Sequence, residues 1–382
     1  MSDKDFAIEY VCAKRMHQSF TIPGTETRKP LKVTYAVAGL ENDDAPTVVF
    51  ISGMYGMRWV ALSWHHVALR VGVRLVCVDR PSFGGSTPVP LAERIDTWLL
   101  TLPALVAHLK CKHIVPLAAS AGTVYLLNCL YHLPSLLPPT PYAAILTPWV
   151  HPRDSGAGIM SFVASDWMPK FLVANHWDAL SGFVATKLLP GFAASGGVME
   201  GIAALGGSLS NSVGARGGER RSEDEVADDA RAMEAFGMTR ARRNEVARLG
   251  LKLMFTEETS GANDEALLCA QKGPPAEVSW GICNDYRTFV PALAKMWEER
   301  LGGVSKLRIQ AVFAEDDAMI GEGGRKFFEE CWKSGTCGDG IEFTSSVAGG
   351  TTHDSIGDPE KGFLEGVLRE AKRALEGGEA GV

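Results

Sequence analysis

HIVPLAASAGTVYLLNCLYHLP, residues 113–134, is the stretch whose reading decides the fold. It opens on a short apolar run, tightens into five small residues with a serine at their centre, and continues as an apolar segment of helical length. The five residues, Ala118-Ala119-Ser120-Ala121-Gly122, carry little side-chain volume. A buried strand and the helix after it can therefore approach across a sharp turn that leaves one hydroxyl at its apex. The pattern has the form G-x-S-x-G with Ala118 at the first glycine position, which makes Ser120 a candidate nucleophile. Small residues around a serine also fill ordinary strand-to-helix turns, so the assignment depends on what the rest of the chain supplies.

Residues 113–152 contain no Asp, Glu, Lys or Arg, a length at which a membrane span has to be considered. Pro116, Pro134, Pro138, Pro139 and Pro141 divide the run into pieces too short to cross a bilayer as one helix. A strand, turn, helix and strand buried on all sides is the expectation instead, with no membrane span. The 382 residues are 46% apolar and 22% charged, enough to build one large core with an added subdomain. A net charge of −7 and the lack of a Lys/Arg cluster argue against nucleic-acid binding. The eight cysteines are scattered without a CxxC spacing, as expected of reduced thiols rather than a disulfide framework or zinc site. The first residues, MSDKDFAIEYVCAKRMH, lack the apolar run of a secretory signal, and the last, GGEAGV, carry no retention or prenylation signal. Together these predict a cytoplasmic protein.

Outward from the serine, β-like runs fall at residues 18–22, 31–37, 47–51, 74–78 and 142–146. The first two suggest a leading antiparallel pair, and the apolar later ones suit buried parallel strands. Helical spacing falls at 58–71 and at 90–109, where Pro103 is a possible kink. The alternation resumes with a strand at 307–314, a helix at 323–333, a strand at 341–346 and a closing amphipathic helix at 359–375. The prediction is an α/β fold with a mostly parallel sheet and helices on both faces, interrupted once after the sixth strand. The interruption reads as helices at 159–176, 180–189, 230–255, 264–271 and 283–300. Residues 214–229, GARGGERRSEDEVADD, read as a mobile surface loop.

In such a sheet, functional groups gather at the carboxyl ends of the strands. Ser120 ends one strand, Asp317 lies three residues beyond another, and His353 lies seven beyond the last. A serine hydroxyl needs a histidine to take its proton, and that histidine needs a carboxylate to fix its tautomer. Asp317 and His353 are the candidates for those roles. Of the nine histidines, His65, His66, His108, His132 and His176 lie on apolar helical segments and read as packing or pocket residues.

The order serine, acid, histidine resembles the α/β-hydrolase superfamily. The resemblance is carried by the serine turn, by Asp79-Arg80-Pro81 leading to Phe83-Gly84-Gly85-Ser86, by the loop ending at Asp317, and by Thr352-His353-Asp354. It covers residues 31–149 and 307–374. It implies an α/β-hydrolase fold, with the core in residues 1–150 and 304–382 and a helical cap in residues 151–303. It also implies an oxyanion hole from the backbone N–H groups of Met54 and Ala121, although Ser52-Gly53 stands where the family usually has His-Gly. Some members place the acid after the sixth strand, which makes Asp154 the alternative to Asp317. The Asp79 turn is expected to be structural.

The resemblance implies a serine hydrolase without metal or organic cofactor. Phe162, Trp167, Phe171, Trp177 and Phe183 in the cap read either as cap core or, where they face the cleft, as favouring esters of hydrophobic small molecules or lipids as substrates. The same triad serves thioesters, lactones and carbon–carbon bonds, and a ligand-binding receptor with little turnover can retain the fold.

Overall fold

The computed structural model describes residues 1–55, 57–157, 223–301 and 306–377. A first helix, α1 (Asp3–Val11), precedes the strands β1 (Gln18–Ile22), β2 (Leu31–Gly39) and β3 (Thr47–Ile51). Next come α2 (Ala61–Val71), β4 (Arg74–Val78), α3 (Arg94–His108), β5 (Val115–Ala119), α4 (Gly122–His132) and β6 (Tyr142–Leu146). The segment between β6 and the next strand contributes α5 (Pro152–Ser155), α6 (Glu223–Phe236), α7 (Arg240–Met254), α8 (Gly261–Cys269) and α9 (Tyr286–Leu301). The chain closes with β7 (Leu307–Asp316), α10 (Gly321–Cys331), α11 (Ser334–Cys337), β8 (Ile341–Thr352) and α12 (Phe363–Leu375).

The strands form one sheet in the order β1-β2-β4-β3-β5-β6-β7-β8. β1 and β2 pair antiparallel, β2 meets β4 antiparallel, and every later pairing is parallel. Alternation along the strands divides the apolar side chains between two cores. On β3, Val49 and Ile51 face one side with Leu102 of α3, Val124 of α4, Leu293 of α9 and Phe328 of α10. Val48 and Phe50 face the other with Val67 of α2 and Val367 of α12. Burying each such Val, Leu, Ile or Phe contributes about 1.5–3 kcal/mol relative to exposure, so helices on both faces are what the fully apolar strands require. Among the described residues no helix is long and apolar enough to cross a membrane.

Three expectations change. The loop expected over residues 214–229 is helical from Glu223 onward, because Glu223, Asp224 and Glu225 sit at the positive end of the helix dipole and Ala232, Ala235 and Phe236 are buried farther along α6. The single helix expected over 230–255 is two. Gly237 has φ +67°, and a Cβ there would fall 2.4 Å from His66 Nδ1, so the chain breaks before Thr239 starts α7. Finally, β7 and β8 run longer than expected and stay paired as far as Asp316 and Thr352, with a bulge between Ala314 and Asp316. The helices expected at 159–176 and 180–189, with the five aromatic residues singled out there and His176, lie outside the described residues, as do residues 214–222.

Candidate active site

β5 delivers the chain to Ser120, whose φ of 49° is left-handed and unfavourable for a residue with a side chain. Its surroundings over-determine that conformation. The Ser120 N–H donates to the Leu146 carbonyl on β6 (3.0 Å), and the Ser120 carbonyl accepts from the Thr123 N–H (2.9 Å) and Thr123 Oγ1 (2.7 Å). Gly122 is required here, because a Cβ would lie 2.1 Å from the Ile51 carbonyl oxygen at the end of β3. Ala118 and Ala121 are wholly buried, so the methyl at the first glycine position is accommodated in the core.

The extension of β7 and β8 explains how the other two residues meet. Asp316 and Thr352 are register partners, so Asp317 and His353 are the first residues to leave two adjacent strands. Both Asp317 carboxylate oxygens lie 2.9 Å from His353 Nδ1, and His353 Nε2 lies 2.9 Å from Ser120 Oγ. Asp317 Oδ1 also accepts the N–H groups of Met319 (2.9 Å) and Ile320 (2.8 Å), which holds the carboxylate in place. A carboxylate can only accept, so Nδ1 carries the proton and Nε2 of the neutral ring is left to accept from the serine hydroxyl. Burial opposes charge on both groups, but their mutual attraction and hydrogen bond outweigh it. The result is an Asp317 pKa below the usual carboxylate value and a His353 pKa above the usual imidazole value.

The alternative acid, Asp154, lies in α5 with its carboxylate on Arg153 (3.2 Å) and Arg287 (3.1 Å). Of the histidines read as packing residues, His65 Nδ1 accepts the Gly39 N–H (3.1 Å), and His108 bonds the Tyr35 hydroxyl (3.0 Å) while stacking on Phe20. Of the two residues expected to supply oxyanion donors, Ala121 is the N-cap of α4, so its N–H lies at the positive end of the helix. Met54 is buried, and the glycine before it passes so close to the serine that a Cβ on Gly53 would lie 3.2 Å from Ser120 Cβ. Among the described residues no group of three metal-ligating side chains is present.

No protein-family model matches the chain, and no curated protein does. Solved structures do. A bromoperoxidase from Bacillus anthracis aligns at a TM-score of 0.54 and 13% identity, covering 93% of this chain and 99% of its own. A thermophilic esterase from Thermogutta terrifontis aligns at 0.51 and 12% identity over 94% and 99%. A haloalkane dehalogenase from Agrobacterium tumefaciens C58 aligns at 0.51 and 12% identity over 94% and 97%. The chain has the α/β-hydrolase fold. The segment between β6 and β7, an insertion in the alternation of strand and helix, supplies a carboxylate to each of two unanticipated charge clusters.

In the first cluster Arg58 pairs with Asp79 (2.7 Å) and with Glu257, beyond the end of α7. In the second, Glu265 of α8 receives Arg80 (3.1 Å), Arg94 (2.6 Å) and the Tyr125 hydroxyl (2.6 Å) on its Oε1. The expectation that Asp79 is structural agrees with its place, wholly buried between Arg58 and Thr34. Glu265 went unremarked in the sequence. The available signal was weak, a carboxylate pair, Asp264-Glu265, directly before the apolar run Ala266-Leu267-Leu268-Cys269, where a buried carboxylate needs a cationic partner.

Proposed function

We propose that the chain is a serine hydrolase that cleaves carboxylic esters of hydrophobic small molecules or lipids through an acyl-enzyme intermediate. The observation that carries this reading is the continuous chain of hydrogen bonds from Asp317 through His353 to Ser120 Oγ, each 2.9 Å long. Ser120 Oγ attacks the ester carbonyl carbon while His353 Nε2 takes its proton. The resulting oxyanion is held by the N–H groups of Met54 and Ala121. Collapse breaks the carbon–oxygen bond to the alcohol, which leaves with the proton from His353. Water, deprotonated by the same nitrogen, then releases the acid and restores Ser120. Asp317 fixes the imidazole tautomer and stabilises the imidazolium in both halves. No residue in this sequence of steps calls for a metal or an organic cofactor.

The apolar substrate class rests on the aromatic residues between 162 and 183. A fluorophosphonate probe tests the reaction. Covalent label on Ser120 that disappears in Ser120→Ala is the expected result, whereas unlabelled, folded protein would mean a ligand-binding role. Turnover of p-nitrophenyl esters rising from acetate to octanoate is expected of an apolar acyl site, and a preference for acetate overturns that part.

A further inference from the structure

The Glu265 cluster touches the reaction centre from behind. Arg80 leaves the end of β4 with its side chain wholly buried, its guanidinium 4.8 Å from the Tyr125 ring centroid. Its Nη1 donates to the Ser52 carbonyl and to Ser52 Oγ (3.1 Å), and its Nη2 donates to the Gly53 carbonyl (2.9 Å). The Gly53 carbonyl belongs to the same planar peptide unit as the Met54 N–H. There are no cis peptide bonds among the described residues, so that N–H points opposite to the carbonyl that Arg80 holds. A cation on the oxygen fixes the plane of this peptide and draws electron density from it, which strengthens the N–H as a donor.

The other end of the cluster reaches the second donor. Tyr125 stands one helical turn after Ala121 on α4, and its hydroxyl donates to the same Glu265 oxygen that receives Arg80 and Arg94. We propose that Arg80 and Glu265 are positioning residues for the oxyanion site, with Glu265 Oε1 tying together the two elements that carry the Met54 and Ala121 N–H groups. The proposal rests on the hydrolase reading and adds a role for the insertion: α8 sets the geometry of the loop after β3. Stability alone is a poor reason for such a cluster, because buried ion pairs are often matched or exceeded by apolar residues of the same volume. Fixing the direction of two N–H groups is something apolar residues cannot do.

The test compares wild type with Glu265→Gln and Arg80→Met on p-nitrophenyl butyrate, each normalised to the Ser120 sites titrated by fluorophosphonate. Affinity for an alkyl trifluoromethyl ketone, whose hemiketal places an oxyanion in the hole, is measured alongside. Removing a direct oxyanion donor costs about 10²–10³ in kcat, so loss of its support is expected to cost roughly 10–100-fold. Ketone affinity should fall in step and KM should stay within about twofold, since an oxyanion interaction acts on the tetrahedral species only. A merely structural role would lower Tm without moving kcat per titrated site. Folded variants that keep wild-type kcat and ketone affinity overturn the proposal while leaving the hydrolase reading intact. Wild-type protein that takes no label overturns both. If neither variant folds, a crystal structure of the wild-type ketone adduct decides. It should show the oxyanion on the Met54 and Ala121 N–H groups with Arg80 still on the Gly53 carbonyl, and an oxyanion away from both N–H groups refutes it.

Discussion

The ends of β5, β7 and β8 and the insertion between β6 and β7 both bring charged or polar groups toward one site, but in different ways. The strand ends present Ser120, Asp317 and His353 within one residue of the sheet, so the 2.9 Å contacts of His353 with Asp317 and with Ser120 are set by parallel pairing and one bulge. The insertion presents Glu257 and Glu265, which reach inward to Arg58, Arg80 and Arg94 on segments of the core. In the proposed reaction the first group meets the substrate, whereas the second neutralises buried cations. Strand-end substitutions should therefore act on kcat and those at the Arg58 cluster on stability, with the Arg80–Glu265 cluster as the proposed link between the two regions.

The largest expected effect is on the strand-end side. Ser120→Ala should lower kcat by about 10⁶-fold, as removal of a nucleophile that works as a unit with its base does. Urea unfolding should leave its stability near wild type, because the left-handed turn is held by backbone and Thr123 contacts rather than by the hydroxyl. A large loss of stability would show that chemistry and anchorage are not separate. Asp317→Asn should cost about 10⁴-fold in kcat through the wrong imidazole tautomer. Asp154→Asn should leave kcat nearly unchanged, since that carboxylate serves Arg153 and Arg287. The reverse ranking would move the acid into the segment after β6.

On the anchorage side, Asp79→Asn should destabilise by about 3 kcal/mol, because the buried Arg58 guanidinium loses its fully buried counter-charge and keeps only the more exposed Glu257. Both Arg58 and Asp79 are almost completely excluded from water, with 5% and 0% side-chain exposure. Glu257→Gln removes the other partner of Arg58, which at 25% exposure is better screened, and should cost about 1 kcal/mol or less. Denaturant midpoints at constant m-value measure both. Equal losses would mean that the insertion anchors the core as strongly as the core anchors itself.

The same division governs what could be read from the sequence. Ser120, Asp317 and His353 were legible because strand ends follow local rules: apolar runs announce the strands, and the turn residues after them announce the groups. Even the errors were local. The bulge after Ala314 and the exposed second half of β8 hid the true strand ends, so Asp317 and His353 seemed farther from the sheet than they are. The arginine partnerships of the two buried clusters span up to 199 residues, between Arg58 and Glu257, and no periodicity reports them. The acidic start of α6 read as loop because its composition is that of a solvated segment, while its burial falls later, on Ala232, Ala235 and Phe236.

The smallest expected effect is a pH dependence with opposite signs in activity and stability. Asp317 holds the His353 pKa above 6.5 in the folded chain. The pair therefore stabilises fully below the unfolded histidine pKa and loses that contribution as pH rises through the folded value. At the acid end, the Asp317 pKa lies below 3.8, so its contribution is present above the unfolded pKa and is lost as pH falls through the folded one. The proposed reaction requires the neutral imidazole, so kcat/KM should rise with pH through a midpoint above 6.5, over the range in which the ion pair fades. Unfolding free energies of wild type and His353→Gln should accordingly converge as pH rises through the folded His353 pKa. Asp317→Asn should move the activity midpoint to lower pH, because the charge that raised it is gone. A wild-type midpoint below 6.5, or one that Asp317→Asn leaves in place, would mean that the coupling seen in the geometry does not govern the proton that catalysis needs.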